Sequence, residues 1–146
     1  LSHFVALRNL PQGLVWLGVA VLLTWTNDSA AYFVGRAVGR HKFWPRHSPK
    51  KTWEGVFGGL FFAVLLGSIL GTVWLGLPWW NGALLGVVIS VVGPLGDLTE
   101  SMVKRQFGAK DSGNLIPGHG GAWDRIDSLL FIVPAVFYWA TLLGGA

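Results

Sequence analysis

The sequence predicts an all-α, polytopic integral membrane protein with about four transmembrane helices, joined by short cytoplasmic helices and loops. Charged residues make up only 12% of the chain, whereas a soluble domain carries about 25%. The mean hydropathy is +0.52. Four uncharged stretches are each long enough to cross a bilayer core of about 30 Å as a helix. Lipid rather than water is therefore the main solvent expected for this chain.

The predicted spans cover residues 10–26, 56–77, 79–96 and 128–146. They are too long for single strands, and they lack the alternating polarity of membrane barrel strands. Gly67 and Gly71 form a GxxxG pair that suits close helix packing in lipid, without functional weight. Residues 1–9 lack the pattern of a signal peptide and are expected to be a loop to upstream helices. We therefore interpret residues 1–146 as the C-terminal part of a longer polytopic protein.

The charges are distributed unevenly between the two sides of the membrane. Threading the four spans places residues 28–55 and 97–127 on one side, with all seven acidic residues and every one of the 11 basic residues except Arg8. The positive-inside rule makes this side cytoplasmic. Carboxylates contribute little to topology, so their clustering indicates chemistry. The absence of cysteine excludes disulfides and thiolate metal sites. Five tryptophans near span ends fit an interfacial aromatic belt: Trp25, Trp53, Trp79, Trp80 and Trp123.

Asp28 follows the first predicted span directly and has two interpretations. It can contact a metal or a nucleotide at the membrane surface. It can also be the N-cap of a helix over residues 29–39, because aspartate is a preferred capping residue. The two roles are compatible, and the sequence does not choose between them.

A basic segment precedes the second predicted span. Two prolines predict an irregular course for residues 41–55. Ser48 or Thr52 can cap the helix that follows, and Lys50 and Lys51 flank its free N–H groups. This arrangement is typical of a phosphate site. The alternative is a juxtamembrane basic cluster that sets topology or contacts anionic lipid.

The third span continues into polar sequence. Asp97, Glu100, Ser101 and Lys104 are spaced to share one helical face. Such groups are costly to expose to lipid, so they are expected to face a polar cavity. A surface pair between Glu100 and Lys104 is the alternative for those two residues, but it does not explain Asp97.

The segment before the last span carries a further acidic pair. Asp124 and Asp127 are three residues apart and would share a helical face. Hard cations such as Mg²⁺ favour carboxylate oxygens, so the pair predicts a metal site, unless Arg125 simply neutralises both acids. The glycines of residues 118–121 allow close approach of the backbone to a ligand. His119, within them, is expected to be a hydrogen-bonding residue rather than a metal ligand.

The run from Ser101 to Asp127 resembles the signature of the phosphatidate cytidylyltransferases, also called CDP-diacylglycerol synthases. The resemblance extends from about Trp25 onward, through blocks at residues 28–32 and 48–55, and corresponds to the C-terminal half of that family. The matching signature residues are Ser101, Lys104, Arg105, Lys110, Asp111, Pro117, His119, Gly120, Gly121, Asp124, Arg125 and Asp127.

The resemblance implies that residues 1–146 are the catalytic part of an enzyme that transfers a cytidylyl group from CTP to phosphatidate, giving CDP-diacylglycerol and pyrophosphate. It implies Mg²⁺ as cofactor, with a second metal ion left open, and Asp97, Asp124 and Asp127 as its ligands. The predicted catalytic residues are Asp97, Lys104, Arg105, Asp124, Arg125 and Asp127. The predicted substrate-binding residues are Asp28, Ser48, Lys50, Lys51, Thr52, Ser101, Lys110, Asp111, His119, Gly120 and Gly121.

The implied partners are CTP, a phosphatidate lipid and the bilayer, with no nucleic acid and with a homodimer left open. The implied location is the cytoplasmic (inner) membrane of a bacterium, with the active site facing the cytoplasm. A first alternative keeps the chemistry and changes the substrate, as in a cytidylyltransferase for another lipid phosphate or a CTP-dependent lipid kinase. A second is a transporter or lipid-binding scaffold, although a transporter would be expected to carry acids at the midplane and inverted repeats.

Overall fold

Five helices and one β-hairpin build the described part of the chain. The structure is a computed structural model that describes residues 2–46, 48–106 and 122–145, without the side chains of residues 48, 49, 104 and 122–127. The elements in chain order are α1 (Ser2–Arg8), α2 (Gly13–Val38), β1 (Lys42–Trp44), β2 (Ser48–Thr52), α3 (Trp53–Leu75), α4 (Trp79–Gln106) and α5 (Ala122–Leu142).

The long helices confirm the predicted membrane architecture. Three of them are long and apolar enough to cross a bilayer, over Gly13–Val38, Trp53–Leu75 and Trp79–Val103. The predicted fourth span corresponds to α5, whose apolar part is Ser128–Leu142. The chain is an integral membrane protein, and its helices pack in sequence order, α2 on α3, α3 on α4 and α4 on α5.

The helix α2 is longer than the sequence suggested, and this changes the interpretation of Asp28. The predicted cap at Asp28 and the separate helix over residues 29–39 are wrong, because α2 runs unbroken from Gly13 to Val38. No proline interrupts this stretch, and two alanines after Ser29 favour helix. Asp28 therefore projects from the side of a continuous helix instead of closing its end.

A hairpin replaces the irregular stretch predicted over residues 41–55. The strands β1 and β2 pair antiparallel, with Lys42 opposite Thr52 and Trp44 opposite Ser48. The predicted cap at Thr52 is confirmed, since its Oγ1 accepts a hydrogen bond from the Gly55 N–H at 3.2 Å. This cap turns the chain directly from β2 into α3.

The pairing of β1 with β2 is supported by one further contact in the first turn of α3. Glu54 Oε1 lies 2.7 Å from His41 Nδ1, and the Glu54 carboxylate also accepts from the His41 backbone N–H. This contact holds the residue before β1 against the start of α3.

Small residues allow α3 to pack closely on both of its neighbours. A side chain at Gly67 would collide with the carbonyl oxygen of Gly82 in α4, and one at Gly59 would come within 2.8 Å of the Asn27 carbonyl oxygen in α2. The GxxxG pair thus has a packing role, since Gly71 also faces Gly82. Backbone contact of this kind is the main source of helix association where the surrounding lipid is as apolar as the side chains.

The end of the bundle remote from the hairpin is closed by α1 and by one buried amide. The loop predicted for residues 1–9 is wrong, because α1 forms there and fully buries Leu7. Asn81, at the start of α4, accepts from Trp139 Nε1 at 2.7 Å and donates to the Leu143 carbonyl at 2.9 Å. These contacts fix the start of α4 against the end of α5.

Candidate active site

The carboxylate of Asp97 is held by two other elements of the fold. Lys51, from β2, places its Nζ 2.9 Å from Asp97 Oδ2. Ser128, from α5, donates a hydrogen bond of 2.7 Å to Asp97 Oδ1. The Ser128 side chain is buried, with 6% exposure. Asp97 is therefore fixed in position by a cation on one oxygen and a hydroxyl on the other.

Asp28 brings a second carboxylate to the same place. Two adjoining cavities share Asp28, Tyr32 and Asp97 in their walls. We call the cavity of about 600 Å³ that also contacts Ser128 the α5-side cavity. The cavity of about 230 Å³ that is also lined by three hairpin residues, Lys50, Lys51 and Thr52, is the hairpin-side cavity. The carboxylates of Asp28 and Asp97 thus lie between the α5-side cavity, which contains the Ser128 hydroxyl, and the hairpin-side cavity, which contains the two lysines.

The depth of these carboxylates follows from helix length. Asp28 is 15 residues from Gly13, and Asp97 is 18 residues from Trp79. At 1.5 Å per residue they lie about 22 and 27 Å from the far ends of their helices, within a core of about 30 Å. On this count Asp28 and Asp97 lie about 8 and 3 Å inside the hairpin-side boundary of such a core.

The ion pair between Lys51 and Asp97 is partly open to solvent. Their side chains are 32% and 38% exposed. An ion pair with this exposure contributes only about 0–1 kcal/mol, because water screens it and competes for both partners. An incoming phosphate can therefore take the ammonium group, and an incoming cation can take the carboxylate, at little cost.

The donor atoms at this position are of the type that a hard cation prefers. Asp28, Asp97 and Ser128 present oxygen atoms to the α5-side cavity. In the part of the chain that the structure describes, no group of three or more histidine or acidic residues could hold a metal ion. Mg²⁺ is nevertheless usually held by one or two carboxylates together with substrate phosphates, so the two aspartates fit this requirement.

The structure brings together five of the predicted site residues: Asp28, Lys50, Lys51, Thr52 and Asp97. Ser101 and Arg105 lie farther along α4, where Arg105 donates to the Arg46 carbonyl of the hairpin at 3.2 Å. For five further predicted site residues the structure describes the backbone but not the side chain: Ser48, Lys104, Asp124, Arg125 and Asp127. Others lie outside the described residues altogether: Lys110, Asp111, His119, Gly120 and Gly121.

Two residues of the site were missed from the sequence. Ser128 was read only as the start of a span, yet its hydroxyl holds Asp97. Its position four residues after Asp124 was the available signal, since residues four apart share a helical face. The second residue is Tyr32, which lies one helical turn after Asp28 and, like Asp28, lines both cavities.

Comparison with known proteins gives a consistent family assignment. A model of the cytidylyltransferase family matches residues 1–143. The phosphatidate cytidylyltransferase of Bacillus subtilis (strain 168) is 46% identical over 138 residues, which cover 93% of this chain and 51% of the relative. That of Synechocystis sp. (strain ATCC 27184 / PCC 6803 / Kazusa) is 48% identical over 138 residues, covering 93% and 46%.

A third relative, the phosphatidate cytidylyltransferase of Staphylococcus epidermidis (strain ATCC 12228 / FDA PCI 1200), is 46% identical over 124 residues, covering 84% and 48%. The chain thus spans about half the length of the curated relatives it matches. The resemblance read from the signature is confirmed: the chain belongs to the cytidylyltransferase family.

Proposed function

We propose that this chain carries the site of a Mg²⁺-dependent transfer of a cytidylyl group from CTP to phosphatidate, which yields CDP-diacylglycerol and pyrophosphate. The observation that carries the proposal is the meeting of Asp28, Lys51 and Asp97 in the wall of the hairpin-side cavity. The three relatives described above are phosphatidate cytidylyltransferases, and this supports the reaction class.

The reaction has a simple balance of bonds. An oxygen of the lipid phosphate attacks the α-phosphorus of CTP, a new P–O bond forms, and the bond from that phosphorus to the bridging oxygen breaks. The electron pair leaves with pyrophosphate. The nucleophile is already anionic near neutral pH, so no general base is required. The barrier lies in bringing two polyanions together, and catalysis consists mainly of positioning and charge stabilisation.

The described residues supply both requirements. Lys51 and Lys50 would bind phosphate oxygens in the hairpin-side cavity, and Lys51 is already held in place by Asp97. Thr52 caps α3, whose first turn therefore lies beside these lysines. The positive end of a helix favours an anion at that place. Triphosphate binding on the hairpin side leaves the α5-side cavity for the lipid phosphate.

Carboxylates would hold the metal ion. Asp97 is the proposed ligand, together with Asp124 and Asp127 from the first turns of α5, and Asp28 lines the same cavity for either a metal or a nucleotide contact. When bound, Mg²⁺ neutralises the negative charge that develops on the transferred and leaving groups. Ser128 acts on this ligand set by keeping the Asp97 carboxylate in one orientation. Lys104, Arg105, Lys110 and Arg125 complete the proposal as further phosphate-binding cations.

The site would face the cytoplasm. The hairpin carries Lys42, Arg46, Lys50 and Lys51, and it sits beside the end of α4 through the contact of Arg105 with Arg46. A basic surface at one end of the bundle is the usual mark of the cytoplasmic side. CTP is a cytoplasmic metabolite, and a lipid substrate reaches the same surface from its own leaflet.

The proposal is tested with membranes that contain the chain within its complete gene product. They are incubated with radiolabelled CTP and phosphatidate, with Mg²⁺ or with a chelator. We expect a labelled CDP-lipid that requires both phosphatidate and Mg²⁺. The CTP carries its label in the α-phosphate, which only cytidylyl transfer moves to the lipid, so an absence of labelled lipid would contradict the proposal. A parallel reaction with diacylglycerol and CTP labelled in the γ-phosphate tests the kinase alternative, which would give labelled phosphatidate and release CDP.

A further inference from the structure

An apolar groove runs along the outer surface of α2 beside the candidate site. It is formed by one strip of that helix, including Leu22, Trp25, Phe33 and Val34, and its edge on α3 is Phe62. The groove has a volume of about 710 Å³. Phe33 and Phe62 are 67% and 44% exposed. This surface therefore offers a shallow apolar channel on the side of a membrane helix.

The groove adjoins the α5-side cavity. Trp25, Ser29 and Phe33 line both spaces, so one face of these side chains borders the groove and the other borders the cavity with Asp28 and Asp97. Trp25 was predicted to belong to an interfacial belt at a span end. It lies instead inside α2, thirteen residues before Val38, where it separates the polar space from the apolar one.

The part of the groove between Leu22 and Phe33 matches one leaflet of the bilayer in length, and the groove continues beyond it to Ala37. Twenty residues of helix, about 30 Å, cross the core, so counting from Gly13 places the hairpin-side boundary near Phe33. Leu22 then lies about 16 Å deeper, close to the half-thickness of about 15 Å that belongs to one leaflet. A molecule with its polar end at Asp97 and an extended apolar tail of leaflet length fits this geometry.

We infer that this groove binds an acyl chain of the lipid phosphate substrate while its phosphate occupies the α5-side cavity. The inference rests on the proposed function and assigns the α2 strip as its acyl-chain subsite. A lipid chain is favoured over a packed helix because the groove adjoins, across a shared wall of three residues, the cavity that would hold the headgroup. The polar cavity and the apolar groove together select an amphipathic ligand, and the ridge of Trp25, Ser29 and Phe33 marks where headgroup and tail divide.

The test fills the groove and compares two substrates. Ala30 lines the groove but not the α5-side cavity, so A30W narrows the proposed chain subsite without altering the charged residues. The complete gene product is assayed in lipid nanodiscs with a long-chain phosphatidate and with dihexanoyl phosphatidate. We expect kcat/KM for the long-chain lipid to fall about tenfold or more, because the blocked acyl chain would displace the headgroup from its reactive position. For the short-chain lipid we expect kcat/KM to change at most about twofold.

The matched control is V73W, which adds a similar ring to the lipid-facing surface of α3. Val73 is 71% exposed and lies outside the groove. We expect V73W to leave both substrates unchanged. Equal losses for both lipids with A30W, or no loss for either, would overturn the acyl-chain assignment. No turnover of either lipid by the unsubstituted protein would instead contradict the proposed function.

A second measurement on the unsubstituted protein covers the case in which A30W fails to fold. A phosphatidate with a diazirine in its acyl chain is photolysed with the protein, and the labelled peptides are mapped. We expect adducts on the α2 strip or on Phe62 that excess unlabelled phosphatidate suppresses. Labelling elsewhere, or labelling that the competitor does not reduce, would contradict the assignment.

Discussion

Replacing Ser128 by alanine removes one hydrogen bond from a carboxylate that the proposed mechanism depends on. The Ser128 hydroxyl donates to Asp97 Oδ1 at 2.7 Å, and the serine is buried. Asp97 would keep its contact with Lys51 on the other oxygen. S128A should therefore leave the carboxylate in the site but free to rotate about one anchored oxygen.

The size of the effect follows from the type of hydrogen bond. A hydrogen bond to a charged group contributes about 1.5–3 kcal/mol, which corresponds to about 10- to 100-fold in rate if all of it is lost in the transition state. Partners that orient a metal ligand have effects in the same range when they are removed, about 10- to 100-fold. Since Asp97 is 38% exposed and water can replace part of the contact, we expect the lower half of this range.

The assay measures kcat/KM together with the Mg²⁺ concentration at half-maximal rate, for wild type, S128A and S128T. We expect S128A to lower the rate and to raise the Mg²⁺ requirement, and S128T, which keeps the hydroxyl, to recover most of both. The control is S68A, because the Ser68 hydroxyl donates within its own helix, α3, to the Val64 carbonyl at 2.8 Å. Unchanged kcat/KM and Mg²⁺ dependence in S128A would refute the reasoning.

Two further predictions concern phosphate binding and helix packing. K51M should lower kcat/KM for CTP about 10- to 100-fold, because a charge-assisted contact is lost. K50M changes an exposed lysine that lacks the Asp97 contact, so it should lower kcat/KM only about threefold. Steady-state kinetics over a range of CTP concentrations measures both, and equal effects would contradict the assigned roles. G67L should destabilise the bundle by about 1–3 kcal/mol or more, because the added side chain collides with Gly82 in α4. The control is G18L, whose Cβ would meet nothing within 4 Å. Thermal unfolding in detergent measures both variants, and equal melting temperatures would contradict the packing account.

The membrane architecture could be predicted from the sequence because long uncharged stretches have few alternatives in lipid. The exact extent of α2 could not. Asn27, Asp28 and Ser29 are typical of a helix start, so local propensity alone predicts a boundary there. In the fold, Asn27 is buried against α3 and Asp28 faces a cavity, so tertiary contacts satisfy the polar groups that seemed to end the helix.

The candidate site could be predicted as a set of residues but not as a geometry. Lys51 and Asp97 are 46 positions apart, and their contact depends on how closely α3 approaches α2 and α4. That approach is set by backbone contacts at Gly59, Gly67 and Gly82, which a sequence pattern does not resolve. The role of Ser128 could not be predicted for a similar reason, since its hydrogen bond to Asp97 depends on the packing of α5 beside α4.

The most direct test of the central claim is the formation of CDP-diacylglycerol by the D97N variant of the complete gene product, with membrane insertion verified. Asp97 is where the lysine, the buried serine and the proposed metal meet, so D97N should insert normally and lose Mg²⁺-dependent turnover. The matched control is E54Q, another carboxylate-to-amide change on the same side of the membrane, whose partner is His41 outside the cavities. Loss of that exposed contact should cost at most about fivefold. Turnover by D97N at the wild-type rate would contradict the account.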